Sequence, residues 1–84
     1  MGAASVGAQG LMQADIVLVA AERRLIDRAN EIIVLVDATK FDGPSGNVVC
    51  ALDQIDTIIT DDRINSTAVT DIKNAGVRLI VAPF

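Results

Sequence analysis

The sequence predicts an α/β domain with an open, mostly parallel sheet and flanking helices. Three observations carry that prediction. Residues 32–36 are five consecutive aliphatics, mostly β-branched, closed by Asp37. Such a run suits a strand covered on both faces, as parallel sheets require. Stretches of helical period alternate with runs of this kind along the chain. The last of them form a strand, a helix and a strand, a βαβ unit that calls for a parallel pair with a right-handed crossover.

Taken in order, residues 1–10 (MGAASVGAQG) have a glycine-rich loop composition without periodicity. From Gln13 to Ala29 the pattern is helical. Leu18, Leu25, Ile26 and Ala29 share a stripe with Ala21 between them, and Arg23, Arg24, Asp27 and Arg28 fall mostly off it. Asp15 suits an N-cap or first-turn acid, and the arginines crowd the end that the helix dipole favours. Glu31–Asp37 is the first strand. Ala38–Asn47, centred on Gly43-Pro44-Ser45-Gly46, is a loop.

Val48–Ala51 suits a short edge strand, and Ile55–Thr60 a second buried strand ending in Asp61-Asp62. Asn65-Ser66-Thr67 then offers a helix cap, Ala68, Val69, Ile72 and Ala75 an apolar stripe, and Gly76 a C-terminal stop. Val77–Ala82 is the third strand, stopped by Pro83. A domain of this class normally opens on a strand feeding its first loop, yet here the glycine loop comes first. It reads as a loop whose preceding strand is missing.

Size and composition agree. The chain has 84 residues, 51% of them hydrophobic and 2% aromatic. So short a chain buries a modest fraction of its surface and needs a staple or a partner. One cysteine and no histidine exclude a disulfide framework and most zinc sites. No metal or cofactor is expected. The partner is then another copy or another stretch of the same polypeptide, and the 84 residues read as a partial domain.

The net charge of −4, with scattered basic residues and no Trp or Tyr, argues against direct nucleic-acid binding. Mean hydropathy is +0.46, but the longest apolar runs fall far short of the ~20 residues of a span. No basic residue precedes an apolar run, so no signal peptide is expected and the chain reads as cytoplasmic. Val6 breaks the myristoylation pattern that Met1-Gly2 begins. Asn65-Ser66-Thr67 has the form of a glycosylation sequon, which without a secretory signal carries no weight.

In open parallel sheets ligands bind beyond the carboxyl ends of the strands. Asp37 ends the first strand, with Thr39 and Lys40 just after it, and Thr60, Asp61 and Asp62 end the second. The loop Gly2–Gly10 would overhang the same edge if its missing strand were parallel to the others. That set suits a polyol phosphate. Lys40 would take the phosphate or a carbonyl oxygen, the aspartates would accept sugar hydroxyls, and glycine N–H groups would cradle anionic oxygens.

The plain alternative is that strands end in polar residues and that Asp37 with Lys40 is a surface ion pair worth little. Two nucleotide loops fail: Walker A needs Lys after its second glycine, where Ala8 stands, and a dinucleotide fingerprint needs glycine in place of Ser5. Cys50 reads as a small buried hydrophobe with no histidine to activate it. Phe41 reads as a loop anchor, Arg23, Arg24 and Arg28 as a solvated helix face, and Asp53 and Asp56 as turn and exposed-strand residues.

Ala29 to Phe41 (ANEIIVLVDATKF) resembles the signature of the C-terminal sensor domain of DeoR-type transcriptional regulators. The likeness continues in order. Cys50-Ala51-Leu52 with Ile55–Asp61 is similar to that family's "cPLxxIDxlITD", and Ala75-Gly76-Val77 with Leu79–Ala82 to its closing "aGVevivA". Gly2–Leu11 resembles its glycine loop, and Glu22–Ala29 the helix after it.

The resemblance implies a fold similar to ribose-5-phosphate isomerases and CoA transferases, with residues 1–84 as the C-terminal part of an effector-sensing domain. It implies a phosphorylated sugar or related metabolite as effector and an oligomeric regulator. DNA would be bound only through an N-terminal helix-turn-helix absent from these residues. Carried over by position, Asp37 and Lys40 match the effector pair, Thr60 and Asp61 the second strand end, and Gly2 and Gly7 the phosphate-side loop. Ala51 stands where the family has proline, and Gly43–Gly46 replaces a more basic stretch.

The leading expectation is therefore a sensor without catalytic residues, part of a repressor of carbohydrate use. One alternative is a piece of a sugar-phosphate isomerase, with Lys40 stabilising an enediolate and the base unassigned among Asp37, Asp61 and Asp62. A purely structural dimerisation piece is the other.

Overall fold

The computed structural model describes residues 1–42 and 46–83. Two three-stranded sheets share one core. Strands β3 (Ile33–Leu35), β5 (Thr57–Asp61) and β6 (Arg78–Ala82) form a parallel sheet in the order β3-β5-β6. Register aligns Val34, Ile58 and Leu79 across it. Val34 and Ile58 are wholly buried, as a β-branched run in a parallel sheet predicts. The expected βαβ unit is present: α2 (Ser66–Asn74) joins β5 to the parallel β6 and buries Ile72.

The second sheet departs from the sequence reading. The stretch read as an opening loop folds as a hairpin of β1 (Ser5–Gly7) and β2 (Gly10–Gln13), and β2 also pairs antiparallel with β4 (Asn47–Cys50). Half of the strands among the described residues are thus antiparallel, and the parallel sheet is narrower than expected. Small residues hid these strands, because Ser, Ala and Gly give no hydrophobic alternation to read. The edge strand expected at 48–51 is present as β4 at the edge of this sheet.

Gly10 explains why the hairpin closes on β4. Its φ is +123°, and a Cβ there would sit 2.0 Å from the Cys50 carbonyl oxygen. Beside it the β2–β4 register shifts between Leu11 and Met12.

Helix α1 (Ile16–Arg28) begins where Asp15 accepts the Val17 N–H at 2.8 Å, three residues later than the pattern suggested because Gln13 belongs to β2. Its buried stripe is Val19, Glu22 and Ile26, whereas Leu18 and Leu25 are exposed. Ile26 of the expected stripe is buried, but the helix is apolar on two sides and the covered one continues through Glu22 and Val19. Arg23 is not simply solvated: its guanidinium donates to the Val48 and Val49 carbonyls at 2.6 and 3.2 Å. Glu22 keeps one carboxylate oxygen without a partner among the described residues.

Ala38–Phe41, expected as loop, is a 3₁₀ turn, and a second such turn covers Leu52–Gln54. The centre of the expected loop, residues 43–45, lies outside the described residues. Asn65 caps α2 by accepting the Ala68 N–H at 2.8 Å, and Gly76 follows with φ +78°. Asp56 accepts the Ile32 N–H at 2.6 Å, which ties the start of β3 to the start of β5. Cys50 is buried, and burial raises its thiol pKa. Among the described residues no helix is long and apolar enough to cross a membrane, and no acidic, His or Cys cluster could hold a metal ion.

Two glycine replacements separate steric from conformational cost. Gly76→Ala, with open space around it, is expected to cost about 1 kcal/mol from the left-handed backbone alone. Gly10→Ala adds a clash with backbone and should cost at least about 3 kcal/mol. Urea denaturation of both variants checks the order, and equal losses would show that β4 yields freely.

Candidate functional site

The parallel sheet brings the carboxyl ends of β3 and β5 side by side, and with them Asp37, Lys40, Thr60 and Asp61. Asp37 caps the 3₁₀ turn that follows β3. One of its carboxylate oxygens accepts both the Thr39 N–H, at 2.9 Å, and the Thr39 hydroxyl. These bonds, with Lys40 and Arg63 nearby, hold its carboxyl below the ordinary range. Lys40 lies half-buried at the end of the same turn, and its N–H donates to the Asp37 carbonyl at 3.1 Å.

Asp61 is more heavily engaged. Its Oδ1 accepts the Arg63 N–H at 3.0 Å and the Arg63 Nε at 2.9 Å. Its Oδ2 accepts the Ala38 N–H at 3.0 Å and the Arg63 Nη2 at 3.1 Å. The Arg63 guanidinium, then the Ala38 amide, push its carboxyl far below the ordinary value. Four donors leave little room for a ligand hydroxyl, so Asp61 acts in the free protein as a brace: it ties the turn after β3 to the end of β5 and orients Arg63.

Arg63 is the residue sequence reasoning missed. The signal was present as an Asp-x-Arg spacing after a strand end, which permits a bidentate pair within one turn. The same pairing raises the Arg63 pKa. With Lys40 it gives this edge a second cation.

Thr60 is buried, and its hydroxyl has no partner among the described residues. Asp37, Thr60 and Asp61 share a recess of about 270 Å³ with Leu35, Val36, Ile59 and Ala82.

The two glycines lie apart from each other. Gly2 is exposed, with open space where a Cβ would go, and its carbonyl accepts the Gln13 Nε2 at 3.3 Å. Gly7 ends β1 and lines a different cavity of about 370 Å³, together with Val6, Phe41, Asp42, Leu52, Asn65 and residues of α2. Phe41, half-buried against the core, forms part of that wall. On its rim Asn65 donates to the Asp42 carboxylate at 3.1 Å, joining the loops that leave β3 and β5.

Comparison with known proteins gives three findings. The family model described as "DeoR C terminal sensor domain" matches residues 1–62. "HTH-type transcriptional regulator UlaR" of Shigella dysenteriae serotype 1 (strain Sd197) is 29% identical over 73 residues, covering 87% of this chain and 29% of the relative. UlaR of Escherichia coli O1:K1 / APEC and of Escherichia coli (strain K12 / DH10B) give the same identity and coverage. The chain thus spans less than a third of the length of these relatives. No solved structure matches it.

Two measurements test this account of the edge. Asp61 has a folded pKa below its unfolded one, so its contribution is full above the ordinary Asp value of about 3.9 and is lost as pH falls toward the folded pKa. Asp61→Asn should therefore lower Tm at pH 7, with the gap to wild type closing as pH drops below about 4. A gap unchanged down to about pH 2 would remove the brace. Thr60→Val should leave the free protein as stable or about 1 kcal/mol more stable in urea, because it deletes an unsatisfied buried hydroxyl. A clear loss would mean that the hydroxyl is satisfied in solution.

Proposed function

The chain belongs to the DeoR C-terminal sensor-domain family, and from that premise we propose that it is the effector-sensing part of a DeoR-type transcriptional regulator whose ligand is a phosphorylated sugar or related metabolite. The family match over residues 1–62 carries the reading. The strand-end edge supplies its chemistry. Lys40 offers a cationic donor to a phosphate, and Asp37 keeps one oxygen with no bond to a neighbour among the described residues, able to accept a sugar hydroxyl. The buried Thr60 hydroxyl gives the recess a further polar group.

In this reading the chain needs no DNA contacts of its own. The relatives are named as helix-turn-helix regulators and are more than three times as long as the matched stretch, so DNA would be held by another part of a longer polypeptide. A ligand that prefers one arrangement of an oligomeric regulator would shift its population and with it operator affinity. The likeness to ribose-5-phosphate isomerases and CoA transferases, the role as repressor of a carbohydrate operon and the cytoplasmic location belong to the same proposal. The isomerase alternative is the weaker reading, because the family match is to a regulator's sensor domain. Of its base candidates Asp37, Asp61 and Asp62, Asp61 has both oxygens taken up by Arg63 and the Ala38 amide.

A thermal-shift screen against pentose and hexose phosphates tests the proposal. Ligand at about 100 times Kd should stabilise by roughly 2.7 kcal/mol. Lys40→Gln should weaken binding of the phosphorylated sugar by about tenfold or more, in line with loss of a charged hydrogen bond. A panel in which no phosphorylated sugar moves Tm, or a Lys40→Gln protein that binds as tightly as wild type, would count against it.

A further inference from the structure

Helix α2 ends with an acid that its own electrostatics disfavours. Asp71 sits in the last turn of Ser66–Asn74, where the carbonyl ends of a helix prefer a cation. No Lys or Arg stands three or four residues away from it in either direction. Its half-buried carboxylate makes no hydrogen bond or salt bridge among the described residues. A residue that breaks a local rule without a compensating contact marks a place where another requirement wins.

Asp71 lines two cavities at once. The one of about 370 Å³ has Val6, Leu52 and Ile72 as an apolar floor, Phe41 as a wall and Asp42 at its rim. The second, of about 380 Å³, adjoins it across Leu52 and Asp71 and adds Asp53. Together they form a groove along α2, and no Lys or Arg lines it among the described residues. That lining fixes the sign of a ligand. Carboxylates without a cation repel phosphates and attract ammonium groups. An ammonium brings three donors and no acceptor. Asp42 keeps one oxygen unbonded among the described residues after accepting the Asn65 amide, and Asp71 keeps both. The apolar floor suits methylenes, and an aromatic wall such as Phe41 favours a cation over a neutral group.

We propose that this groove binds a linear alkyl di- or polyamine, its methylenes on Leu52 and Ile72 and its ammonium groups on Asp71 and on Asp42 or Asp53. The site is distinct from the strand-end recess and opposite to it in the charge it selects. One 3₁₀ turn, Ala38–Phe41, lies between them: Asp37 of the recess caps it, and Phe41 of the groove ends it. A cationic and an anionic ligand could therefore occupy the chain together without competing. The inference does not rest on the identity of the strand-end ligand.

Titration of the isotope-labelled chain with spermidine at low salt, followed by amide NMR shifts, tests it. Saturable shifts are expected at Ala68, Asp71 and Ile72. Putrescine should bind more weakly, and butanediol, which has the carbon chain of putrescine without its charge, should not bind. Asp71→Asn should be as stable as the parent or more so in urea, since it removes an acid from the unfavourable end of a helix. It should weaken spermidine binding by about tenfold or more, as for loss of a charged hydrogen-bond partner. Glu31→Gln removes one negative charge from an exposed residue that lines neither cavity, and should leave binding unchanged. Shifts that do not saturate, the same shifts from magnesium chloride at equal ionic strength, or equal binding of butanediol would overturn the proposal. So would a folded Asp71→Asn protein that binds as tightly as the parent. The magnesium and butanediol comparisons use the unsubstituted chain, so they decide the matter even if the variant fails to fold. None of these outcomes bears on phosphorylated sugars, so failure here leaves the thermal-shift test of the proposed function intact.

Discussion

Strand β5 has parallel neighbours on both sides, and its Ile58 is wholly shielded from water. Most of the remaining architecture follows from that pairing. Parallel neighbours cannot be joined by a hairpin, so each step across the sheet needs a crossover. One of them is α2. The same rule makes every strand of this sheet end on one edge, so Asp37 after β3 and Asp61 at the end of β5 meet although 23 residues separate Ala38 from its carboxylate partner. The site is a by-product of strand direction before it is a matter of side-chain chemistry.

The elements that were legible in the sequence are those whose signal is local. The aliphatic run 32–36, the Asn65 cap and Gly76 each state their geometry in a few residues, and the structure has β3, α2 and its left-handed stop where they point. The hairpin of β1 and β2 was not legible, because Ser5, Gly7 and Gly10 carry no alternation and β2 is held by pairing with the distant β4. The buried stripe of α1 was legible at Ile26 and not elsewhere, for a related reason. Leu18 and Val19 are equally apolar, and only the position of β4 decides which of them is covered. Strand ends placed Asp37, Thr60 and Asp61 on one edge, and these three share a recess, with Lys40 at the end of the turn that Asp37 caps. Their division of labour depends on hydrogen bonds: Asp61 spends both oxygens on Arg63 and Ala38, and no pattern of residue types announces that.

Charge sharpens the picture. The chain carries −4 overall, and acids surround this edge, yet Asp61 is paired with Arg63 and Asp37 accepts hydrogen bonds from Thr39. A bound carboxylate that already accepts several hydrogen bonds presents a weaker field to an arriving anion than its formal charge suggests. Acidity across the chain and anion recognition at one edge are therefore compatible.

The bond between Asn65 and Asp42 joins two connections that would otherwise move independently. Asn65 spends its amide oxygen capping α2 and its amide nitrogen on Asp42, two residues past Lys40. The cap alone is worth about 1 kcal/mol. The bond between the two connections is thus also part of the first turn of a helix. Loosening either connection would also loosen the cap of α2, so the two loops and the start of the helix form one mechanical unit.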